Sequence, residues 1–441
     1  MRVHFGTDGI RGRANENLTV DMAYRIGQYL GQNFRGGKIL IGRDTRLSGG
    51  MFESALAAGI TALGTNAFLL GVCSTPELIY LVRSQQYSCG IMITASHNPY
   101  HDNGIKVINS EGMKIDAALE EAIEEYIYGE GQLEFVTGEA IGQVYRCEEA
   151  LEDYLSFLRE HFPSDLSGYD IIIDCANGSA SVTAEKMLKR LGANVTVTAN
   201  EPNGFNINRG CGSTHVESLA EAVRNGNYDI GLAFDGDADR LIAVASDGSI
   251  VDGDKIIFCV GRYLKDSGLL NNGKVVTTVM ANLGLFKMLD KYGIGYEKTQ
   301  VGDKYVYDCM CRNGYVLGGE QSGHIILSRH ATTGDGLMTA LQLLEIMKKE
   351  NRTLNELTDE LKVYPQLLVN LEVKDKEAVM KDEAVLAKCA QVEESLAGEG
   401  RVLVRCSGTE PLVRVMTEAI SDEICRQYVD EIIEVIKNRG Y

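Results

Sequence analysis

Short apolar runs, each closing on a polar, glycine-bearing loop, recur down this chain between amphipathic stretches. That rhythm restricts its fold more than any other feature. Ile39–Ile41 reads as a buried strand, and Ser48 as the N-cap of a helix to about Leu63. Ala67–Val72 is a second strand, Thr75-Pro76-Glu77 a helix start with proline at the first helical position, and Cys89–Thr94 a third strand. Asp116–Tyr128 reads as an acidic amphipathic helix stopped by Gly129. A fresh cycle opens at Asp170, with strands Ile171–Asp174, Asn194–Thr198 and Ile230–Phe234 and helices to Leu191 and from Val216 to about Arg224. A third runs from about Gly253 to Leu361, with strands near Val275–Val279 and Tyr315–Leu317. The character then changes. Leu367–Val373, a long helix Ala378–Leu396, Val402–Arg405, Leu412–Glu418 and a terminal helix Asp422–Lys437 read as a small α+β unit. The pattern predicts α/β domains at 1–150, 151–252 and 253–364 and a C-terminal α+β domain at 365–441. A chain of 441 residues has room for about three or more such cores.

Charge narrows the function. Lys plus Arg number 43 against 62 Asp plus Glu, a net −19, which excludes nucleic acid as the expected partner. A phosphorylated substrate is compatible only if the cations that hold it are concentrated locally. The longest apolar runs, such as Ile91–Thr94, are too short to cross a bilayer, so no membrane association is expected. Met1–Gly12 carries no apolar signal core, so a cytoplasmic location is expected and the sequons at Asn194 and Asn351 carry no weight. Eleven scattered cysteines without a Cys-x-x-Cys pair fit reduced thiols better than a disulfide framework or a zinc site.

In α/β units the chemistry collects beyond the carboxyl ends of strands. Four polar loops lie there: 94–98, 235–240, 318–324 and 405–411. In Thr94-Ala95-Ser96-His97-Asn98-Pro99 an exposed serine follows a buried strand. It is either a turn cap or a nucleophile, and as a nucleophile it needs activation or a pre-loaded phosphate. Gly-x-Ser-x-Gly and Ser-x-x-Lys are absent, so hydrolase and lactamase templates fail. Asp235-Gly236-Asp237-Ala238-Asp239-Arg240 sets three carboxylates at alternate positions. Oxygen ligands at that density suit a hard dication such as Mg²⁺, and Arg240 suits a phosphate beside it. An EF-hand would need glycine at Arg240 and glutamate at Ser246. Gly318-Gly319-Glu320-Gln321-Ser322-Gly323-His324 suits hydroxyl recognition on a sugar, or is simply a glycine-rich hairpin. Arg405-Cys406-Ser407-Gly408-Thr409-Glu410-Pro411 with Arg414 has the composition of an anion cradle, or of a capped turn with a surface arginine. Gly268–Val275 nearly matches a nucleotide-binding loop but lacks the final Ser/Thr and runs from helix to strand, the wrong order.

In order and spacing these four loops resemble the α-D-phosphohexomutase family, and the resemblance covers essentially the whole chain. Phe5-Gly6-Thr7-Asp8-Gly9-Ile10-Arg11-Gly12 and the Gln321 of Gly319–His324 resemble the glucosamine-phosphate branch, and Thr333-Gly334-Asp335-Gly336 is similar too. The resemblance implies three similar α/β domains with mixed sheets and an active site in a central cleft. It implies that Ser96 carries the phosphoryl group and that Mg²⁺ is held by the Ser96 phosphate, Asp235, Asp237 and Asp239. Arg11, His97, Lys106 and Arg240 are then expected near the transferring phosphate, with His324 among the catalytic residues. Glu320 and Ser322 are expected on sugar hydroxyls, and Arg405, Ser407, Gly408, Thr409 and Arg414 on the non-reacting phosphate. Ala238 and Cys406 depart from the family pattern, and neither is an implied ligand. The implied substrate is a hexosamine phosphate, with glucosamine 1,6-bisphosphate as intermediate and a homodimer as the expected assembly. Three alternatives stay open: mannose or glucose phosphates as substrates, an aspartate-nucleophile phosphatase built on Asp235-x-Asp237, and a sugar-phosphate sensor without catalysis.

Overall fold

The computed structural model describes residues 4–6, 8–129, 131, 133–407 and 412–441. Three sheets lie in one compact unit, residues 1–279 with 294–358. The first has seven strands in the order Phe5–Gly6, Gly9–Arg13, Asp102–Asn109, Cys89–Ile93, Lys38–Arg43, Asn66–Val72, Val144–Arg146. The second has five, Ile250–Val251, Leu241–Ala245, Ile230–Phe234, Asp170–Asp174, Asn194–Thr198. The third has four, Gly295–Thr299, Lys274–Thr278, Leu317–Gly319, Ile325–Leu327. The strands of Cys89–Ile93 and Ile230–Phe234 are buried along their whole length, as parallel strands covered on both faces must be.

Each of these sheets is mixed, and by the same device. A parallel strand turns back into an antiparallel partner: Cys89–Ile93 into Asp102–Asn109, Ile230–Phe234 into Leu241–Ala245, and Leu317–Gly319 into Ile325–Leu327. Three of the polar loops singled out above are the connections within these hairpins. The returning strands sit where a helix is the commoner successor to a parallel strand.

A second compact unit comprises residues 280–293 and 359–441. Its sheet is antiparallel, in the order Gln366–Glu372, Leu412–Glu418, Arg401–Cys406. The helix Asp422–Asn438 buries Cys425, Val429, Ile432 and Ile436 in the core beneath it. The fourth polar loop again joins two hairpin strands.

Several local readings change. The helix start near Thr75 uses Ser74 as cap, in a reciprocal box with Glu77, so Pro76 takes the second helical position and not the first. Ser48 does precede the helix Gly49–Ala62, but its hydroxyl accepts from Asn103 Nδ2 and caps nothing. The long helix expected over Ala378–Leu396 is two helices, Lys376–Lys381 and Glu383–Leu396. Asp382 breaks it by accepting the N–H groups of Ala384 and Val385. No helix among the described residues is long and apolar enough to cross a membrane.

Candidate functional site

Ser96 stands at the end of a fully buried strand in the left-handed region, φ 50°, where a non-glycine residue needs outside support. Arg46 supplies most of it. This guanidinium is fully buried, anchored by Asp44 at 2.9 Å, and donates to the carbonyls of Ser96 at 2.7 Å and Asn98 at 2.8 Å, as well as to those of Pro99 and Asp102. Asn208 Nδ2 donates to the same Ser96 carbonyl at 2.8 Å. Thr94 Oγ1 accepts the Ser96 N–H at 2.9 Å and itself donates to Asp44. The backbone is thus tied down on all sides, and the Ser96 hydroxyl donates to Asp235 Oδ2 at 2.6 Å. His97 Nδ1 lies 3.3 Å from the same hydroxyl.

The metal-type loop meets this one backbone to backbone. A Cβ on Gly236 would stand 2.5 Å from the Ser96 carbonyl oxygen, so only glycine permits the approach. Asp235, Asp237 and Asp239 are all buried and offer ligand oxygens within 4.8 Å of one another. Burial and the neighbouring carboxylates hold Asp235 well above the usual carboxylate range. Burial opposes the charge on Asp239 as well, but Lys106, His324 and Arg240 outweigh it and hold that group low. Asp237 Oδ1 and Asp239 Oδ1 are buried without a hydrogen-bond partner. Three converging carboxylates, two of them with unanswered oxygens, fit a divalent cation.

Cations ring the cluster. Lys106 Nζ, from the returning strand Asp102–Asn109, donates to Asp237 Oδ2 at 2.8 Å and lies 3.6 Å from Asp239. Arg240 Nε stands 3.7 Å from Asp239 and 4.0 Å from Asp235. Arg11 pairs with Asp8 at 3.4 Å and keeps Nε buried without a partner. Burial together with Arg240 and Arg11 pushes His97 down to about 4, so it is neutral at pH 7.

The third loop brings His324 beside Asp239, Nδ1 to Oδ1 at 3.6 Å. Burial opposes its charge, but Asp239 and Asp303 lift it to about 9. Against that pull, the Gly334 N–H points at Nε2 at 3.0 Å, which requires a lone pair there and a proton on Nδ1. The backbone contact is the firmer guide to the ring's state, since it fixes the tautomer directly. Gly336 N–H donates to the Ala238 carbonyl at 3.0 Å, so the Thr333–Gly336 stretch also belongs to the site. Glu320 accepts from the Gly302 N–H at 3.0 Å, and Ser322 is exposed. A cavity of about 380 Å³ opens beside these groups, lined by Lys106, Asp239, Asp303 and His324 and by Ile79, Ile108 and Ile115.

In the second unit, Arg405 and Arg414 are direct cross-strand partners. Burial and the charge of Arg414 both work against the charge on Arg405, whose Nε is buried without a partner. Two like charges placed face to face in this way repel across the strands. Lys376 Nζ donates to the Ser407 carbonyl at 2.6 Å. Gly408 and Thr409 lie outside the described residues.

Asp44, Arg46, Thr75, Asn208 and Asp303 were not anticipated. Arg43-Asp44-Thr45-Arg46 does follow the strand end at Lys38–Arg43, and that placement was the available signal for the first two.

Models of the phosphoglucomutase/phosphomannomutase family match in four parts: alpha/beta/alpha domains I, II and III at residues 2–134, 152–248 and 252–364, and the C-terminal domain at 368–435. A protein of Lachnospira eligens named phosphoglucosamine mutase is 49% identical over 448 residues, spanning 100% of both chains. Among solved structures, a phosphoglucomutase/phosphomannomutase family protein from Burkholderia thailandensis superposes with TM-score 0.83 at 23% identity, over 99% of this chain and 98% of that one. The N-acetylphosphoglucosamine mutase of Aspergillus fumigatus, solved with GlcNAc-6P and magnesium, gives 0.73 at 18% identity, over 100% and 96%.

Proposed function

Because this chain belongs to the phosphoglucomutase/phosphomannomutase family, we propose that it interconverts glucosamine 6-phosphate and glucosamine 1-phosphate. The route runs through a phosphoserine at Ser96 and a bound glucosamine 1,6-bisphosphate. The observation that carries this reading is the Ser96 hydroxyl 2.6 Å from Asp235 at the edge of a buried aspartate trio. The phosphoglucosamine mutase name of its 49%-identical relative supports the choice of sugar.

Phosphoryl transfer demands charge neutralisation and alignment more than covalent ingenuity. Asp235, Asp237 and Asp239 would hold Mg²⁺ together with the Ser96 phosphate, and the ion would neutralise charge on the transferring group. Arg46 and Asn208 keep Ser96 at a fixed angle. Lys106, Arg240 and Arg11 supply fixed positive charge around the phosphoryl oxygens, and His97 stands beside Ser96 Oγ, its Nδ1 3.3 Å away. His324 acts on Asp239, since both of its ring nitrogens are already directed at protein atoms. Glu320 and Ser322 take sugar hydroxyls. In the first half-reaction the Ser96 Oγ–P bond breaks as the sugar oxygen bonds to phosphorus, and the proton of that sugar hydroxyl ends on the Ser96 oxygen. In the second, the bisphosphate presents its other phosphate and Ser96 takes that phosphoryl group back. Arg405, Ser407, Gly408, Thr409 and Arg414 grip whichever phosphate is not reacting, a source of binding energy remote from the reacting atoms. The four domains read from the sequence, 1–150, 151–252, 253–364 and 365–441, then carry nucleophile, metal, sugar and distal phosphate in turn. In the cell this would be a cytoplasmic step supplying amino-sugar nucleotide precursors for cell-wall synthesis.

A coupled assay with glucosamine 6-phosphate, glucose 1-phosphate and mannose 1-phosphate tests the substrate. The highest kcat/KM is expected for the glucosamine phosphate. An equal or higher value for either neutral hexose would assign the chain to the glucose/mannose branch.

A further inference from the structure

Asp237 is held from the other sheet by a residue that the mechanism above does not use. Thr75 opens the helix Thr75–Ser84, and its hydroxyl donates to Asp237 Oδ2 at 2.6 Å while its N–H donates to the Asp237 carbonyl at 3.0 Å. Both donors are spare for local reasons. The first N–H groups of a helix have no partner within it. The capping duty that a threonine hydroxyl commonly fills is done by Ser74, whose Oγ accepts the Glu77 N–H while the Glu77 carboxylate accepts the Ser74 N–H. Pro76 brings no N–H of its own to compete.

The consequence falls on one carboxylate. Oδ2 receives two donors, Thr75 Oγ1 at 2.6 Å and Lys106 Nζ at 2.8 Å, whereas Oδ1 is buried and receives none. With its main-chain carbonyl bound by Thr75 N–H and its Oδ2 held by two donors, Asp237 has its side chain restrained and its free oxygen set in one direction. The positive end of the helix also faces the charge. Thr75 lies in the first sheet's domain with Ser96, and Asp237 in the second's, so the same two bonds fix the aspartate loop against the serine loop.

We propose that Thr75 is a positioning residue for the divalent cation, aligning Asp237 so that Oδ1 is presented as a ligand. This rests on the metal reading above and is independent of which sugar is turned over. The test uses the full-length protein freed of metal, Mn²⁺ as a spectroscopic probe, and the variants Thr75→Val and Thr75→Ser. Loss of a hydrogen bond behind a metal ligand typically weakens the metal about 10- to 100-fold. Thr75→Val is expected to bind Mn²⁺ weaker by about that factor, and Thr75→Ser to stay within about threefold of the native chain. Excess Mg²⁺ should restore kcat in Thr75→Val, with KM for the sugar phosphate unchanged. Native Mn²⁺ affinity in Thr75→Val would overturn the assignment. So would a loss that neither serine nor excess Mg²⁺ repairs, because that is the mark of a merely structural residue. A native chain that takes up no Mn²⁺ would overturn the metal reading and this inference together. A changed sugar preference would touch neither.

Discussion

Ser96 has its N–H, its carbonyl and its hydroxyl all hydrogen-bonded, whereas the hairpin of the second unit sets Arg405 directly opposite Arg414, charge against like charge. The first arrangement is finished before any substrate arrives, and its hydroxyl already points at an aspartate. The second sets two like charges side by side across one hairpin. A group that must take part in chemistry gains from preorganisation, because reorganisation at the moment of transfer would add to the barrier. A group that must grip, release and grip a different phosphate gains from a site whose stability is supplied by the ligand itself.

The largest effect should come from the finished end. Ser96→Ala is expected to lose roughly a thousandfold or more in kcat, because the neighbouring hydroxyls of Thr94 and Thr75 are already committed to Asp44 and Asp237. Treatment with EDTA should abolish turnover to a similar extent and Mg²⁺ should restore it. Full activity in either experiment would break the contrast, since the finished end would then not be the reacting one. At the gripping end, Arg414→Ala should lower kcat/KM about ten- to a hundredfold, the cost of one charge-assisted contact of about 1.5–3 kcal/mol. Added glucosamine bisphosphate should rescue part of that rate by rephosphorylating Ser96.

Two smaller effects concern stability. Burial pushes the Glu77 carboxyl up to about 8 from its ordinary 4.5. Between those values the unfolded chain has released this proton and the folded chain has not, so rising pH favours unfolding. Each tenfold difference in proton affinity between the two states is worth about 1.4 kcal/mol. Glu77→Gln keeps an acceptor for the Ser74 N–H and removes the titration. Its denaturant-measured stability should therefore fall less steeply than the native chain's as pH rises from about 5 to about 8. Identical slopes would show that the buried cap is charged throughout. The smallest effect is the most telling about the other end. Arg405→Met relieves the cross-strand repulsion and should leave the unfolding free energy unchanged or raised by about a few tenths of a kcal/mol, while activity falls. A marked drop in stability would mean that the arginine pair is structural.

What could be read without coordinates divides along the same line. The residues proposed to react and ligate were legible as a group, because Ser96, Asp235, Asp237, Asp239 and Arg240 lie in polar loops after strands, and the fold brings them together. The groups that hold them were not. Arg43-Asp44-Thr45-Arg46 has the composition of a solvated turn, and only the fold reveals that Arg46 is buried under the serine loop. Thr75 reads as a helix start, which it is, and nothing local announces that its hydroxyl is spare. The returning strand Asp102–Asn109 was hidden because Asn103 and Lys106 interrupt its apolar pattern; Asn103 is buried against Ser48 and Lys106 against Asp237. The break at Asp382 was missed because no glycine or proline marks it; the side chain itself takes the next helix's N–H groups.

The most direct measurement is phosphate mapping of the native chain and of Arg414→Ala, each purified from turnover with glucosamine 6-phosphate. If one end reacts and the other grips, both proteins carry phosphate on Ser96, and only the variant has lost kcat/KM. Absence of phosphate from Ser96 in the native chain, or its loss in Arg414→Ala, would contradict the division between the two ends.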